Sequence, residues 1–515
     1  MPVARTRCVA LLGVTGHTVE IEADVGRGVV GTHLIGLLDM AISESRDRVR
    51  SALLNSRFDW PDARVTVSLF PASLPKRGSI FDVAIAMAIL AAAGLVPPSR
   101  VAEPFFLGEL GLDGKIRPIR GVLPAALAAA QAGARLIVVP SLNASEAALV
   151  PGLTVVPATS LRELVDWLRE GDLDRLPCVD ELAEAAFDAP APLSSPGLDL
   201  MEVVGQPLGR WALEICAAGG HNLWLLGSPG TGKTMLAERL PTILPVLDRD
   251  QALEVTAIHS IAGNLTGSHP LLYRPPFVAP HHTATVASVI GGGTGLIRPG
   301  AVSLAHQGVL FMDEAPEFAS GVLDSLRQPL ESGRVTLSRA AGTVTFPARF
   351  TLVLAANPCP CGLGGEAGRF CGCSPNNRRR YLARLSGPLL DRVDVKIRLA
   401  RPSRAELMAD RAHVEPSSTV SERVIQARER AAKRLAGTPW RNNAEVSSAV
   451  LHRELRLPST ALTPLTRALD VGTLSARGLD RVLRVAWTIS DLSARDRPGV
   501  DDVNAALTMW TGQES

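Results

Sequence analysis

One stretch constrains this chain more than any other: HNLWLLGSPGTGKTMLAERL, His221–Leu240. Leu223–Leu226 is an apolar run that reads as a buried strand, and a helical pattern starts where the glycines stop. Between them lies the loop Gly227, Ser228, Pro229, Gly230, Thr231, Gly232, Lys233, Thr234. Its glycines let backbone N–H groups converge on one point, and phosphate oxygens suit such a cradle. Lys233 can then supply charge to the β- and γ-phosphates, while the Thr234 hydroxyl can bind Mg²⁺. A glycine-rich turn can match by chance, but the strand before it and the helix after it speak against that. The chain has only five lysines against 48 arginines, a bias that fits the base composition of the genome and singles out each lysine retained.

Two further strands end in polar residues. In GVLFMDEAPEF (Gly308–Phe318), the apolar run Val309–Met312 stops at Asp313 and Glu314. Buried strands seldom end in two acids without a partner, because an unpaired charge there is costly. Asp313 is placed to hold the Mg²⁺ shell, and Glu314 to orient and deprotonate an attacking water. RFTLVLAANP (Arg349–Pro358) ends at Asn357, whose side chain can position the same water or sense the γ-phosphate. An Asn before Pro also forms turns, so that alternative stands beside the first. The expected ligands are ATP and Mg²⁺.

The chain is too long, at 515 residues, for one core, and two to four domains are expected. With 46% hydrophobic and 20% charged residues it is globular. A net charge of +2 excludes an overall basic footprint, so any nucleic-acid surface must be local. The longest uncharged apolar run, Val83–Val96, is too short for a membrane span and meets Pro97–Pro98. Met1–Val14 lacks the apolar centre and cleavage site of an export signal. No membrane partner and a cytoplasmic location are expected. Residues 1–170 mix strands such as Arg64–Phe70 with a buried helix over Asp82–Leu95. Residues 171–200 read as a Pro- and Ser-rich linker, 201–400 alternate strands and helices, and 401–515 are helical.

Several motifs carry a specific resemblance: PHHTATVASVIGGG (Pro280–Gly293), RPGAVSLAHQGVLFMDEAPEF (Arg298–Phe318), ANPCPCG (Ala356–Gly362) and LSGPLLDRVD (Leu385–Asp394). They resemble the magnesium-chelatase-like AAA+ family in its YifB/ComM branch, over nearly the whole chain. The resemblance implies an α/β multidomain fold. An AAA+ P-loop NTPase core with a helical lid would follow a Lon-protease-like (ribosomal S5 domain 2-like) α+β domain. It also implies a homo-oligomeric ring, expected to be a hexamer, with ATP at subunit boundaries. Arg392 would be the arginine finger reaching a neighbour's γ-phosphate, and Arg477 the lid arginine touching phosphate in its own subunit. Trp487 stands where the family pattern leads us to expect an arginine, with Arg484 one turn earlier able to compensate.

Phe70–Leu90 and Phe106–Gly133 resemble the Lon-type peptidase domain, which needs a serine nucleophile and a lysine base. Ile80 stands at the serine position with Ser79 beside it, and the helix after Gly121 has no lysine; Lys115 is the only one nearby. A scaffold or interaction module is expected. Cys359, Cys361, Cys371 and Cys373 form two C-x-C pairs, which can close a tetrahedral Zn²⁺ site of structural type. Free thiols or a redox pair are the alternatives. Neighbouring histidines rarely share a metal, and the role of His281 and His282 stays open.

Basic residues gather at Arg378, Arg379 and Arg380, and a hairpin expected within Glu331–Phe346 carries Arg334 and Arg339. The resemblance puts such hairpins at the pore of a ring, where phosphate contacts would be independent of sequence and sensitive to salt. A solvated hairpin is the plain alternative. Three functions are open: an ATP-driven DNA translocase, which the resemblance implies would be a branch-migration helicase acting on recombination intermediates; a chelatase-type ATPase remodelling a protein client; or a nucleotide-gated assembly scaffold.

Overall fold

The structure is a computed structural model, which describes residues 3–170, 197–265, 270–293, 297–339, 342–364, 371–411 and 413–512. Most of the expected linker, 171–196, lies outside the described residues. Among the described residues no helix is long and apolar enough to cross a membrane.

The first block is built on strands β1 (Ala4–Leu12), β2 (Thr15–Gly26), β3 (Gly31–Ile35), β4 (Arg64–Phe70), β5 (Phe105–Phe106), β8 (Leu136–Pro140) and β9 (Thr154–Ala158), with a small separate hairpin of β6 (Glu109–Leu110) and β7 (Ile116–Arg117). The sheet order is β3-β4-β2-β1-β5-β8-β9. β2 is antiparallel to β1 and β4, and the outer strands run parallel to their neighbours. Alternation in β4 does what its sequence dictates: Val65, Val67 and Leu69 are buried while Arg64 and Phe70 are exposed. The helix Asp82–Ala92 is buried on every side, as an uninterrupted apolar run must be if it forms a helix in a soluble core.

A second sheet is wholly parallel. Its strands are β10 (Leu223–Gly227), β11 (Phe277–Val278), β14 (Val309–Met312), β17 (Thr351–Ala356) and β18 (Val395–Leu399). They lie in the order β11-β14-β17-β10-β18. Two hairpins are attached, β12 (Gly291–Gly292) with β13 (Arg298–Pro299), and β15 (Arg334–Arg339) with β16 (Gly342–Pro347). β10 lies between β17 and β18, with Leu226 opposite Ala356 of β17 and Gly227 opposite Leu399 of β18. The chain crosses from one side of β10 to the other, and open parallel sheets bind ligands at the carboxyl ends of strands at such a point.

The C-terminal helices share a core with this sheet. Ser417–Arg434, Ser459–Asp470, Ala476–Leu492 and Val500–Thr511 bury Val424, Leu465, Val485 and Met509 in the cluster that holds Leu223, Leu236 and Ile397. Their joint lies at the amino ends of the strands. There the fully buried His221 meets Thr488 Oγ1 at 2.8 Å, and Asp394 accepts from Arg481 at 2.8 Å and from the Asn222 N–H at 3.0 Å. Trp487 is buried in the same helical layer, with the Arg434 guanidinium 4.4 Å over its ring. Arg484, half-buried one turn earlier, donates from Nε to the Val446 carbonyl at 2.8 Å.

The two sheets are tied together. The helix Arg249–Ala262 packs on the helix Val122–Gln131, and Ala252, Ala257 and Leu271 belong to the apolar core of the first block. At this seam the Gly121 N–H donates to the Ser260 carbonyl at 3.3 Å, and the Ser260 hydroxyl bonds the buried carboxylate of Glu146. Burial raises the Glu146 pKa, against hydrogen bonds from Ser260, the Leu123 N–H and Asn143.

Candidate nucleotide site and cysteine centre

Glycine is required twice in the loop, since Gly230 (φ +79°) and Gly232 (φ +90°) are left-handed. The turn is held from within by the Thr231 hydroxyl, which donates to the Ser228 carbonyl at 2.9 Å. From outside, Gln206 donates to the Thr231 carbonyl at 3.0 Å and to the Ala400 carbonyl at 2.8 Å. Gln206 is buried just before the first turn of the helix Pro207–Gly219. Only the fold reveals its bond to the loop.

Lys233 opens the helix Lys233–Ile243 and is 8% exposed. Its ammonium donates to the Gly227 carbonyl at 2.6 Å, the Ser228 carbonyl at 2.9 Å and Asn357 Oδ1 at 3.1 Å. Burial lowers its pKa, and the charges of Asp313 and Glu314 oppose that shift. Next to it, the Thr234 hydroxyl donates to Asp313 Oδ2 at 3.0 Å. Asp313 Oδ1 accepts from the Glu314 N–H at 2.8 Å. The parallel register therefore brings Lys233, Thr234, Asp313 and Asn357 to one edge of the sheet. A hydroxyl and a carboxylate in contact beside a cationic cradle are hard oxygen donors that fit Mg²⁺.

Glu314 has φ +50°, a left-handed backbone that costs a non-glycine residue about 1–3 kcal/mol and that collects at functional sites. Its carboxylate lies 3.3 Å from His282 Nδ1, and the His281 ring centre is 4.2 Å from that of His282. The histidine pair is thus a neighbour of the second acid, a relationship the sequence left open.

Asn357 leads straight into the cysteines. Sγ atoms of Cys359, Cys361 and Cys371 lie 3.3, 3.6 and 3.4 Å apart, and all four sulfurs fall within 4.8 Å of one another. None of the four is in a disulfide. Tetrahedral Zn–S bonds of about 2.3 Å put sulfurs roughly 3.8 Å apart, so the donor set fits zinc. The Cys373 backbone N–H does most to hold the Cys371 thiol down, to about 7. Tyr381 sits buried close by; burial, then Glu317 and Glu314, push its hydroxyl up to about 12, against a hydrogen bond from the Asn357 backbone.

Other expected site residues lie elsewhere. Arg392 is at the amino ends of the strands, where its carbonyl accepts from Asn222 at 2.9 Å. Its guanidinium bonds Glu331 and the Pro388 carbonyl. Arg477 lies in the first turn of the helix Ala476–Leu492. One turn after it, Arg481 bonds Asp394, and Val395 is paired with Leu223, the end of β10 remote from Gly227. Arg378 is half-buried, and Arg379 and Arg380 are exposed, on the helix Pro375–Leu382. Arg334 is exposed at the base of the β15–β16 hairpin; the Arg339 side chain lies outside the described residues. That hairpin is not free-standing. Val344 and Phe346 pack with Val14 of the β1–β2 turn, and a Cβ on Gly13 would fall 2.5 Å from Val344.

In the first block, Ile80 is buried and the Ser79 hydroxyl bonds Glu109, while Lys115 is 76% exposed and 3.8 Å from Asp113. The fully buried Lys76 donates to the Pro71 carbonyl. Among the described residues no hydrogen bond joins Ser79 to a lysine.

Comparison with known proteins now adds to this geometry. Three family models match in succession: "Subunit ChlI of Mg-chelatase" over residues 21–143, "Magnesium chelatase, subunit ChlI" over 199–407, and "Magnesium chelatase, subunit ChlI C-terminal" over 414–509. An uncharacterized protein of Mycobacterium tuberculosis (strain H37Rv) is 50% identical over 510 residues, covering 99% of this chain and 98% of that one. The competence protein ComM of Haemophilus influenzae is 41% identical over 489 residues, 95% of this chain and 93% of its own. YifB of Escherichia coli is 40% identical over 489 residues, with the same coverage of 95% and 93%. A Lon protease of Trichlorobacter lovleyi is 28% identical over 172 residues, 30% of this chain and 20% of that one, a partial likeness. The P-loop edge of the parallel sheet and these matches agree on a nucleotide-binding protein of ATPase type, and the chain belongs to the YifB/ComM branch of the magnesium-chelatase-like family.

Proposed function

We propose that this chain is an ATP-hydrolysing motor that assembles as a ring, expected to be a hexamer, and moves on DNA in the cytoplasm. The observation that carries the ATPase reading is the pair of contacts Thr234–Asp313 at 3.0 Å and Lys233–Asn357 at 3.1 Å. The loop amides and Lys233 bind and orient the triphosphate, Thr234 and Asp313 hold Mg²⁺, Glu314 takes the proton of the attacking water, and Asn357 fixes the γ-phosphate end. Bound Mg²⁺ supplies charge neutralisation at the phosphates. Arg392 serves a neighbouring subunit, a reading supported by its place at the far end of the sheet from Gly227. Residues 1–170 act as a Lon-like scaffold without the peptidase dyad, 171–200 as linker, 201–400 as the AAA+ core and 401–515 as the lid. Cys359, Cys361, Cys371 and Cys373 hold a structural zinc ion.

DNA as the track is supported by the exposed Arg379 and Arg380 beside the site and by the name of the competence protein among the relatives. Such contacts release counterions and weaken with salt. The test is the ATPase rate with and without single-stranded, forked and four-way DNA at two salt concentrations. Stimulation that falls with salt is expected. No response to any DNA would overturn the choice of track and favour a protein client.

A further inference from the structure

We infer that the four-cysteine centre is a zinc joint that couples the basic helix Pro375–Leu382 to the nucleotide site, so that metal occupancy sets how tightly nucleotide is held. The inference rests on the nucleotide-binding reading above and adds a regulator to it.

Both arms of the joint are on the page. Cys359 and Cys361 follow directly on Asn357, whose side chain accepts from Lys233. One residue later, Gly362 has φ +77°, and a Cβ built there would fall 2.6 Å from Pro229 Cγ. The cysteine loop therefore rests backbone-first on the P-loop itself. Cys371 and Cys373 lead into Ser374, whose hydroxyl caps the basic helix by accepting from the Asn377 N–H at 3.2 Å. The chain just past that helix returns to the site: Arg384 donates to the Pro316 carbonyl at 2.9 Å and to Glu317 at 3.1 Å, just beyond Glu314. The helix bearing Arg378, Arg379 and Arg380 is thus fastened at one end through sulfur and at the other through the turn that carries Glu314.

Sulfur convergence needs a cation to persist. The sequence between the two pairs is glycine-rich; Gly364 donates to Cys359 Sγ at 3.2 Å, and Cys359 is the one buried cysteine of the four. Four thiolates select zinc, and with all four positions filled no site remains for chemistry on the metal. A closed zinc site of this kind folds its own loops. Without it, the fastening of the basic helix to Asn357 and Pro229 loses one of its two ends.

The test uses full-length protein as purified. Zinc is titrated with a chromogenic chelator after a mercurial releases it, and affinity for a fluorescent ADP is measured before removal, after removal and after zinc is restored. Gly362→Val is measured in parallel, because it keeps all four cysteines while forcing side-chain bulk against Pro229 at a left-handed backbone position. We expect about one zinc per chain, the stoichiometry of a closed four-thiolate site. Zinc removal and Gly362→Val should each weaken ADP binding, on the order of 3- to 30-fold, the size of couplings carried through adjoining contacts. Zinc restoration should recover the first loss, and Gly362→Val should retain its metal. Absence of zinc, with none taken up on loading, would overturn the metal site. Unchanged affinity in Gly362→Val with zinc in place would overturn the coupling, even if the chelated protein unfolds. Wild-type protein that binds no ADP at all would instead overturn the nucleotide reading.

Discussion

The Thr234 hydroxyl donates to Asp313 across 3.0 Å, although 79 residues separate them in the chain. Parallel pairing of β14 with β17 and of β17 with β10 creates that contact, since it puts the ends of all three strands on one edge. Every step of the proposed chemistry depends on this edge.

Lys233 is the first point to probe. It is the one lysine in the loop, and its ammonium already faces the carbonyls of Gly227 and Ser228. Lys233→Ala should weaken nucleotide binding by about 100-fold, the loss of roughly 3 kcal/mol of charge-assisted contact. Calorimetric titration with ADP checks it; an unchanged affinity would refute the assignment of the loop.

Glu314 should separate binding from turnover. Glu314→Gln keeps the size of the side chain but removes its basicity, so ATP should still bind while hydrolysis falls by about 10²–10⁴-fold. Phosphate release under saturating ATP is the measurement, and normal turnover would remove Glu314 from the role of base.

Arg392 is predicted to work across a subunit boundary. Arg392→Ala and Lys233→Ala proteins should each be inactive alone and regain ATPase when mixed, because a mixed ring contains boundaries with an intact loop on one side and an intact arginine on the other. An Arg392→Ala protein as fast as wild type would count against the finger.

The joint between the parallel sheet and the C-terminal helices should be sensitive to acid. Arg481 and His221 hold the buried Asp394 carboxyl well below the usual range, against burial, which pulls it up. A depressed carboxylate contributes stability in full above its unfolded pKa of about 3.9, and that contribution is lost as pH falls from there toward the folded value. Asp394→Asn should therefore destabilise the chain at neutral pH by about 3 kcal/mol, since it leaves Arg481 without its partner. It should also flatten the acid limb of a denaturation curve taken below about pH 4. Equal curves for variant and wild type would refute the role.

Much of the site was legible because its parts are local. Strand, glycine turn and helix occupy consecutive residues around Gly227–Thr234, and Asp313 and Asn357 each end an apolar run that can only be a buried strand. The alternation of Arg64–Phe70 and the unbroken apolar helix at Asp82 were readable for the same reason. What escaped reading depends on distant segments meeting. Gln206 has no motif, and its role exists only because Ala400 follows directly on the strand beside the loop. Trp487 stands where the family pattern suggested an arginine, and its helix turns that position into the core shared with the parallel sheet. The docking of the β15–β16 hairpin on Val14 joins residues more than 300 apart, a link that no local pattern encodes.

The seam at Ser260 and Glu146 carries a practical consequence. Ala252, Ala257 and Leu271 lie in the ATPase half of the sequence yet are buried in the other half's core. Severing the chain near residue 200 would strip that greasy flank bare and strand an acid that had a hydroxyl for company. Any conformational stroke at the loop must then carry the leading 170 residues along as ballast or as lever, and cannot leave them idling on a tether.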